Sequence, residues 1–342
     1  GNLLQLTYSL VDTRIVGSFL GEDALAAVGA TSTLSGLIIG FLLGLSNGFA
    51  IITAQKFGAK NIADMKKSFA MSLVIGTGIS ILFTIAGLLF LKPILHFLNV
   101  PKHLVPVAKG YIAIIIAGLL ATFLYDACAA TLRAIGDAVT PLIILAISVA
   151  LNIVGDLFFV VVLKTGVKGA AIATVLAQII AFVICWIYMI RKYEILRLQK
   201  EDFKDPSPIM VKEMISAGMS MGFMSSLVNI GTLTLQTAIN KLGKDIIIAH
   251  TAARKITEIF MIMFSVFGQT MATYCGQNMG AGKIDRVKRG IWLAIVYTAI
   301  WSGLTIIASY TIGGWLVYLV TGSHNKTVIL LSLIHISEPT RR

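Results

Sequence analysis

AQKFGAKNIADMKK, residues 54–67, returns as GQNMGAGKIDRVKR at residues 276–289. Setting Gln55 against Gln277 fixes an offset of 222 residues, and the offset holds without a gap on either side. It pairs Leu20 with Leu242, Gly21 with Gly243, Asp23 with Asp245, Ala27 with Ala249, Ala30 with Ala252 and Ala50 with Ala272. It goes on to pair Gly58 with Gly280, Ala59 with Ala281, Ile62 with Ile284 and Lys66 with Lys288. Shared apolar composition could produce the alanine matches, but not LG-x-D and Q-x-x-GA at matching places. The chain therefore carries two copies of one unit.

Composition says what the unit is made of. Of 342 residues, 57% are hydrophobic and only 13% charged, where a soluble domain carries about 25% charged residues. The mean hydropathy is +0.88. Apolar blocks occupy residues 3–20, 24–53, 68–91, 105–125, 139–163, 169–190, 214–239, 246–274 and 290–312, and another begins after Lys326. Each is near the roughly 20 residues of a membrane helix. Strand-like alternation is almost absent, which excludes a β-barrel. The fold class is thus all-α and polytopic. Six spans separate equivalent points of the two copies, so both copies have the same orientation. This is the parallel-repeat design, twelve helices when complete and about ten here.

The net charge of +12 is read as topology rather than nucleic-acid binding, because cytoplasmic loops collect Lys and Arg. Lys56, Lys60, Lys66 and Lys67 follow span two, and Arg133 follows span four. Arg191, Lys192, Arg197, Lys200, Lys204 and Lys212 follow span six, and Lys283, Arg286, Lys288 and Arg289 follow span eight. The odd-numbered loops are poorer in both residues, so the even-numbered loops are expected in the cytoplasm. The domains expected are a six-helix bundle over 1–190, a basic cytoplasmic linker over 191–212 and an incomplete second bundle over 213–330. LSLIHISEPTR, residues 331–341, reads as translated sequencing-adapter DNA, so 331–342 is set aside. Both ends are expected to be truncated. Cys128, Cys185 and Cys275 fit neither a disulfide framework nor a metal site and are read as packing residues.

Ionisable groups inside spans are costly and mark function by default. Asp12 lies in span one, Asp126 in span four and Asp156 in span five, with Asn152 one turn before it on the same face. Tyr111 and Thr174 could add hydroxyl ligands. The repeat partner of Asp12 is Thr234, so this carboxylate belongs to one half alone. Such oxygens can coordinate Na⁺, or hold a proton by burial and like-charge crowding. The structural alternative is interhelical hydrogen bonding. Arg254, Lys255 and Glu258 in span eight either pair along the helix or line a cavity. His250 is read as a satisfied polar residue. Met219, Met221, Met224, Met261, Met263 and Met271 pack or face lipid. No HExxH, paired-histidine or GxSxG pattern occurs in a span, so no enzyme and no cofactor are expected.

VDTRIVGSFLGEDALAAVG (11–29), AQKFGAKN (54–61), TLRAIGDAVTP (131–141) and GQNMGAGK (276–283) closely resemble, in order and spacing, the multidrug and toxic compound extrusion (MATE) family. The resemblance covers essentially the whole chain before residue 331. It implies a twelve-helix secondary antiporter of the bacterial cytoplasmic membrane, acting as a monomer. It implies export of amphipathic, often cationic, small molecules in exchange for H⁺ or Na⁺. The family's first-half cation site maps onto Asp12, Asn152, Asp156, Thr174 and Tyr111. Asp126 departs from the family, which usually has asparagine there. A lipid-linked precursor flippase of the same superfamily is the alternative. Its cavity would need several Arg or Lys residues, and the acidic first half argues against it.

Overall fold

Gly21, at φ +85°, separates a short helical stretch at residues 15–20 from the first long helix. The computed structural model describes residues 15–98, 100–239 and 244–321. Its helices are α1 (Glu22–Gly58), α2 (Ile62–Leu89), α3 (Leu91–Phe97), α4 (Val105–Ala117), α5 (Leu119–Ala134) and α6 (Val139–Asp156). There follow α7 (Val167–Lys192), α8 (Pro208–Ile239), α9 (Lys244–Gly280) and α10 (Ile284–Thr321). A π-helical turn, Leu157–Val162, prolongs α6. No strand occurs among the described residues. Six of the described helices are long and apolar enough to cross a membrane, or seven when α4 and α5, bent by 42° at Gly118, count as one span. The chain is a multi-pass membrane protein. The apolar block at 105–125, read as one span, is divided by this bend. The break follows from Gly118, the α-helix former of lowest intrinsic propensity after proline.

The sequence repeat is a structural repeat. Helices α1 and α9 stop at 58 and 280, 222 residues apart. Helices α2 and α10 start at 62 and 284. The turns are bonded alike: Ala59 N–H donates to Gln55 O at 2.9 Å and Ala281 N–H to Gln277 O at 3.0 Å. Lys60 N–H donates to Phe57 O at 2.9 Å and Gly282 N–H to Met279 O at 3.0 Å. Lys60 and Gly282 both adopt left-handed backbone, at φ 59° and 69°, as a helix C-terminus of this kind requires. Asn61 then caps α2, its side chain accepting from Asp64 N–H at 3.0 Å.

The described chain forms two compact units. The first runs to Asn229 and includes Gly276–Gly282; the second holds Ile230–Cys275 and the residues from Lys283 on. In the first, α1 packs on α2 and α5, and α7 packs on α4, α5 and α6. Leu42, Leu45, Phe49, Ile112, Ile116 and Phe123 are buried in its main core. A second cluster joins Met65, Phe69, Cys128, Leu132, Cys185 and Met189. The start of α8 lies against α1 through glycines: a methyl group on Gly44 would sit 2.4 Å from Met221 O, and one on Gly48 2.5 Å from Ala217 O. Small residues four apart let membrane helices approach this closely.

The segment between α7 and α8 is ordered. Leu196 is buried, Lys67 Nζ donates to Asp205 O at 3.4 Å, and Arg197 Nε donates to Ile190 O at 2.7 Å. Helix α8 already starts at Pro208, inside the segment expected as linker, because proline suits a first helical turn. Residues 322–342, including the adapter-like stretch, lie outside the described residues.

In the second unit Trp301 Nε1 donates to Phe260 O at 3.0 Å and ties α10 to α9. A groove between these helices is lined by Phe264, Phe267, Met271, Ile291, Ile295 and Thr298, among others.

Candidate cation-coupling site

Helix α6 buries one stripe of every fourth residue: Thr140, Ile144, Ser148, Asn152 and Asp156. Four of the five are polar, and three bond across to α7. Thr140 Oγ1 lies 3.1 Å from Tyr188 Oη, Ser148 Oγ donates to Ala177 O at 3.3 Å, and Asn152 Nδ2 lies 3.2 Å from Thr174 Oγ1. A polar seam thus runs along the α6–α7 contact, and its last members form the candidate site. Asn152 is 3% exposed and Asp156 fully buried. A carboxylate at this depth is expensive unless it is charge-balanced, hydrogen-bonded or protonated.

The Asn152 amide can serve Asp156 in two ways. With its nitrogen toward Thr174, Nδ2 donates to Thr174 Oγ1, and the Thr174 hydroxyl donates on to Ala170 O at 3.0 Å. The amide oxygen then faces Asp156 Oδ2, a pairing satisfied when Asp156 carries a proton. Turned over, Nδ2 donates to Asp156 Oδ2 at 3.3 Å and the amide oxygen accepts from Thr174 Oγ1 at 3.2 Å. That arrangement suits an ionised carboxylate. The same three side chains therefore fit either protonation state by rotation of one amide. They also offer carboxylate, carbonyl and hydroxyl oxygens, the hard donors a small metal cation prefers. Among the described residues no cluster of three His, Cys, Asp or Glu side chains could hold a metal ion. Asp156 ends the regular α-helix, and the π turn starts at the next residue. Such turns recur at functional sites.

The family model described as MatE matches residues 1–158 and 220–338. The chain belongs to the MatE family. It is 31% identical over 291 residues to "Probable multidrug resistance protein YpnP" of Bacillus subtilis, covering 84% of this chain and 64% of that protein. It is 28% identical over 319 residues to "Probable multidrug resistance protein YoeA" of the same organism, covering 90% and 68%. This MatE chain thus spans about two thirds of the length of these relatives. Among solved structures it is similar to "Crystal structure of MATE in the bent conformation", with TM-score 0.88, 21% identity, and coverage of 98% of this chain and 76% of that one. The fold is that of MATE transporters.

The residues expected at the MatE site are distributed as follows. Asn152, Asp156 and Thr174 come together. Tyr111 is buried on α4, a helix that packs on α7. Asp12 lies outside the described residues, as does the side chain of Lys255. Asp126 sits on α5 within electrostatic range of Arg133, and Arg133 Nη2 donates to Asn47 Oδ1 at 3.1 Å. No hydrogen bond or ion pair among the described residues joins Asp126 to Asn152. In span eight, Arg254 Nε and Glu258 Oε1 are 3.0 Å apart, an i,i+4 pair.

Sequence reading passed over Ser148 and Thr140, although the four-residue spacing that revealed Asn152 and Asp156 extends to them. It also missed Asp137, between α5 and α6. Asp137 accepts from Thr140 N–H at 3.0 Å, Thr140 Oγ1 at 2.7 Å and Tyr193 Oη at 2.7 Å, and Lys192 Nζ is 3.7 Å away. Burial pushes this carboxyl up, but the bonds from Thr140 and Tyr193 and the charge of Lys192 outweigh it and hold it below its ordinary value.

Proposed function

We propose that this MatE chain is the larger part of a cation-coupled antiporter that exports amphipathic, often cationic, small molecules in exchange for H⁺ or Na⁺. One observation carries the reading: the buried Asn152–Asp156–Thr174 group, able to serve both a charged and a neutral carboxylate. The printed names of the Bacillus relatives, both multidrug resistance proteins, support the substrate class. Asp156, Asn152 and Thr174 take up the cation, with Asp12, Tyr111 and Asp126 as further oxygen donors of the same half. Binding there discharges the site, changes its hydrogen bonds to α7 and favours release of the organic cation to the outside. Cation release to the inside restores the charge for the next substrate. The Lys- and Arg-rich even-numbered loops, with the segment between α7 and α8, lie in the cytoplasm. The Arg254–Glu258 pair neutralises one cation that a flippase cavity for a diphosphate would use.

The test uses the full-length protein in everted membrane vesicles. Uptake of a fluorescent organic cation is followed under an imposed pH gradient and then under a Na⁺ gradient. Uptake should follow one of the two and fall at least tenfold in Asp156→Asn at equal amounts of folded protein. Undiminished uptake in Asp156→Asn removes that residue from coupling. No uptake under either gradient moves the reading to the flippase.

A further inference from the structure

The repeated Q-x-x-G motif meets its own copy. Residues 276–282, the end of α9, pack within the first unit against the end of α1. A methyl group on Gly58 would lie 1.9 Å from Gln277 O, and one on Gly280 would lie 1.8 Å from Gln55 O. The offset of 222 carries Gln55 onto Gln277 and Gly58 onto Gly280, so it turns the first contact into the second. This reciprocity is that of an isologous interface, where i meets j and j meets i, built here between two repeats of one chain. It explains why Gln and Gly recur together at this offset. Each glycine admits the carbonyl of the other copy's glutamine residue, and any side chain at either position would separate the helices. The Gln277 side chain adds one bond, Nε2 donating to Ala134 O at 2.7 Å. Ala134 is the last residue of α5, whose terminal carbonyls lack partners within the helix. Around this contact Gly276 approaches Ala54, a methyl group on the glycine falling 3.1 Å from Ala54 Cβ.

We propose that the two Q-x-x-G helix ends form a cytoplasmic clasp, closed here and parted each time the carrier opens to the inside. The assignment to the cytoplasmic side rests on the basic residues that follow each copy, Lys60, Lys66 and Lys67 after one and Lys283, Arg286 and Lys288 after the other. The proposal rests on the transport reading above. The clasp suits repeated opening because it is made of close backbone contact and one side-chain hydrogen bond. It can re-form without repacking large side chains.

The experiment uses the full-length protein with Cys128, Cys185 and Cys275 replaced by Ser. The pair Ala54→Cys and Gly276→Cys brings two Cβ atoms near the ~3.5–4.5 Å separation of a disulfide. Oxidation should cross-link the pair and lower organic-cation uptake at least tenfold, and reduction should restore it. A second readout needs no substrate. Ala54→Cys alone, buried when the clasp is closed, should react slowly with an impermeant maleimide in inside-out vesicles, and adding Gly58→Leu should raise the rate at least tenfold. Absence of the disulfide, full transport by the cross-linked protein, or a maleimide rate unmoved by Gly58→Leu would each overturn the clasp. If the reduced protein moves no organic cation while the maleimide rate responds, the transport reading fails and the clasp stands.

Discussion

Lys60 and Gly282 occupy the same place in the two repeats and the same left-handed backbone, yet only one of them is glycine. A non-glycine residue in that conformation is strained by roughly 1–2 kcal/mol. Lys60→Gly should therefore stabilise the protein by about 1 kcal/mol, and Gly282→Ala should destabilise it by a similar amount. Thermal unfolding midpoints in detergent, displaced in opposite directions, are the check. Thr174→Val keeps the shape of its side chain and removes the hydroxyl that Asn152 bonds. Either orientation of the amide then loses a partner, so coupled uptake should fall several-fold while the amount of folded protein is unchanged. Of this site, the sequence alone showed the pair Asn152 and Asp156, because two polar residues four apart in an apolar block stand out. Thr174 stood out less, as one more hydroxyl: a lone threonine in a membrane helix has no distinguishing spacing, and its meaning comes from α7 lying beside α6.

At the scale of elements, Asp137 ties the α5–α6 turn to the end of α7 through Thr140, Tyr193 and Lys192. Its carboxyl lies below its ordinary value in the folded protein. The stability it contributes is therefore present above the ordinary carboxylate range, about pH 4, and is lost as pH falls through the lower folded value. Asp137→Asn should weaken this junction by about 1.5–3 kcal/mol, the range for hydrogen bonds to a charged group. Limited proteolysis between α7 and α8 should become faster in the variant at neutral pH, and its excess over wild type should shrink as the pH is lowered below the ordinary carboxylate range. The α1–α8 contact makes a sharper forecast. Gly48→Leu would drive a branched side chain into Ala217 O, and loss of folded protein on size-exclusion chromatography should follow. Hydropathy located the membrane helices well, since burial in lipid needs long apolar runs. It gave no warning of the break at Gly118 or the π turn after Asp156, which depend on backbone hydrogen bonding rather than on polarity.

For the whole molecule, the repeat read from two short loops extends to helix ends, turn bonds and backbone signs. The groove of the second unit continues the pattern. Its Phe264, Phe267, Met271, Ile291 and Thr298 stand at the offset from Leu42, Leu45, Phe49, Phe69 and Gly76. In the first unit all five of those residues are buried, on helices that α5 covers. The polar stripe lies on α6, and the Q-x-x-G ends occur in both copies, each copy packing against the other. The π turn at Leu157–Val162 has a mechanical meaning of its own. It stores one surplus residue in the helix, and a surplus can be handed along a helix by exchanging one backbone hydrogen bond for the next. Each exchange leaves at most one backbone bond unmade at a time, so the several kcal/mol that an unsatisfied group costs in lipid is met once and not repeatedly. The end of α6 can thereby turn a different side chain toward α7 as a screw thread advances, without unwinding and without sliding through the membrane.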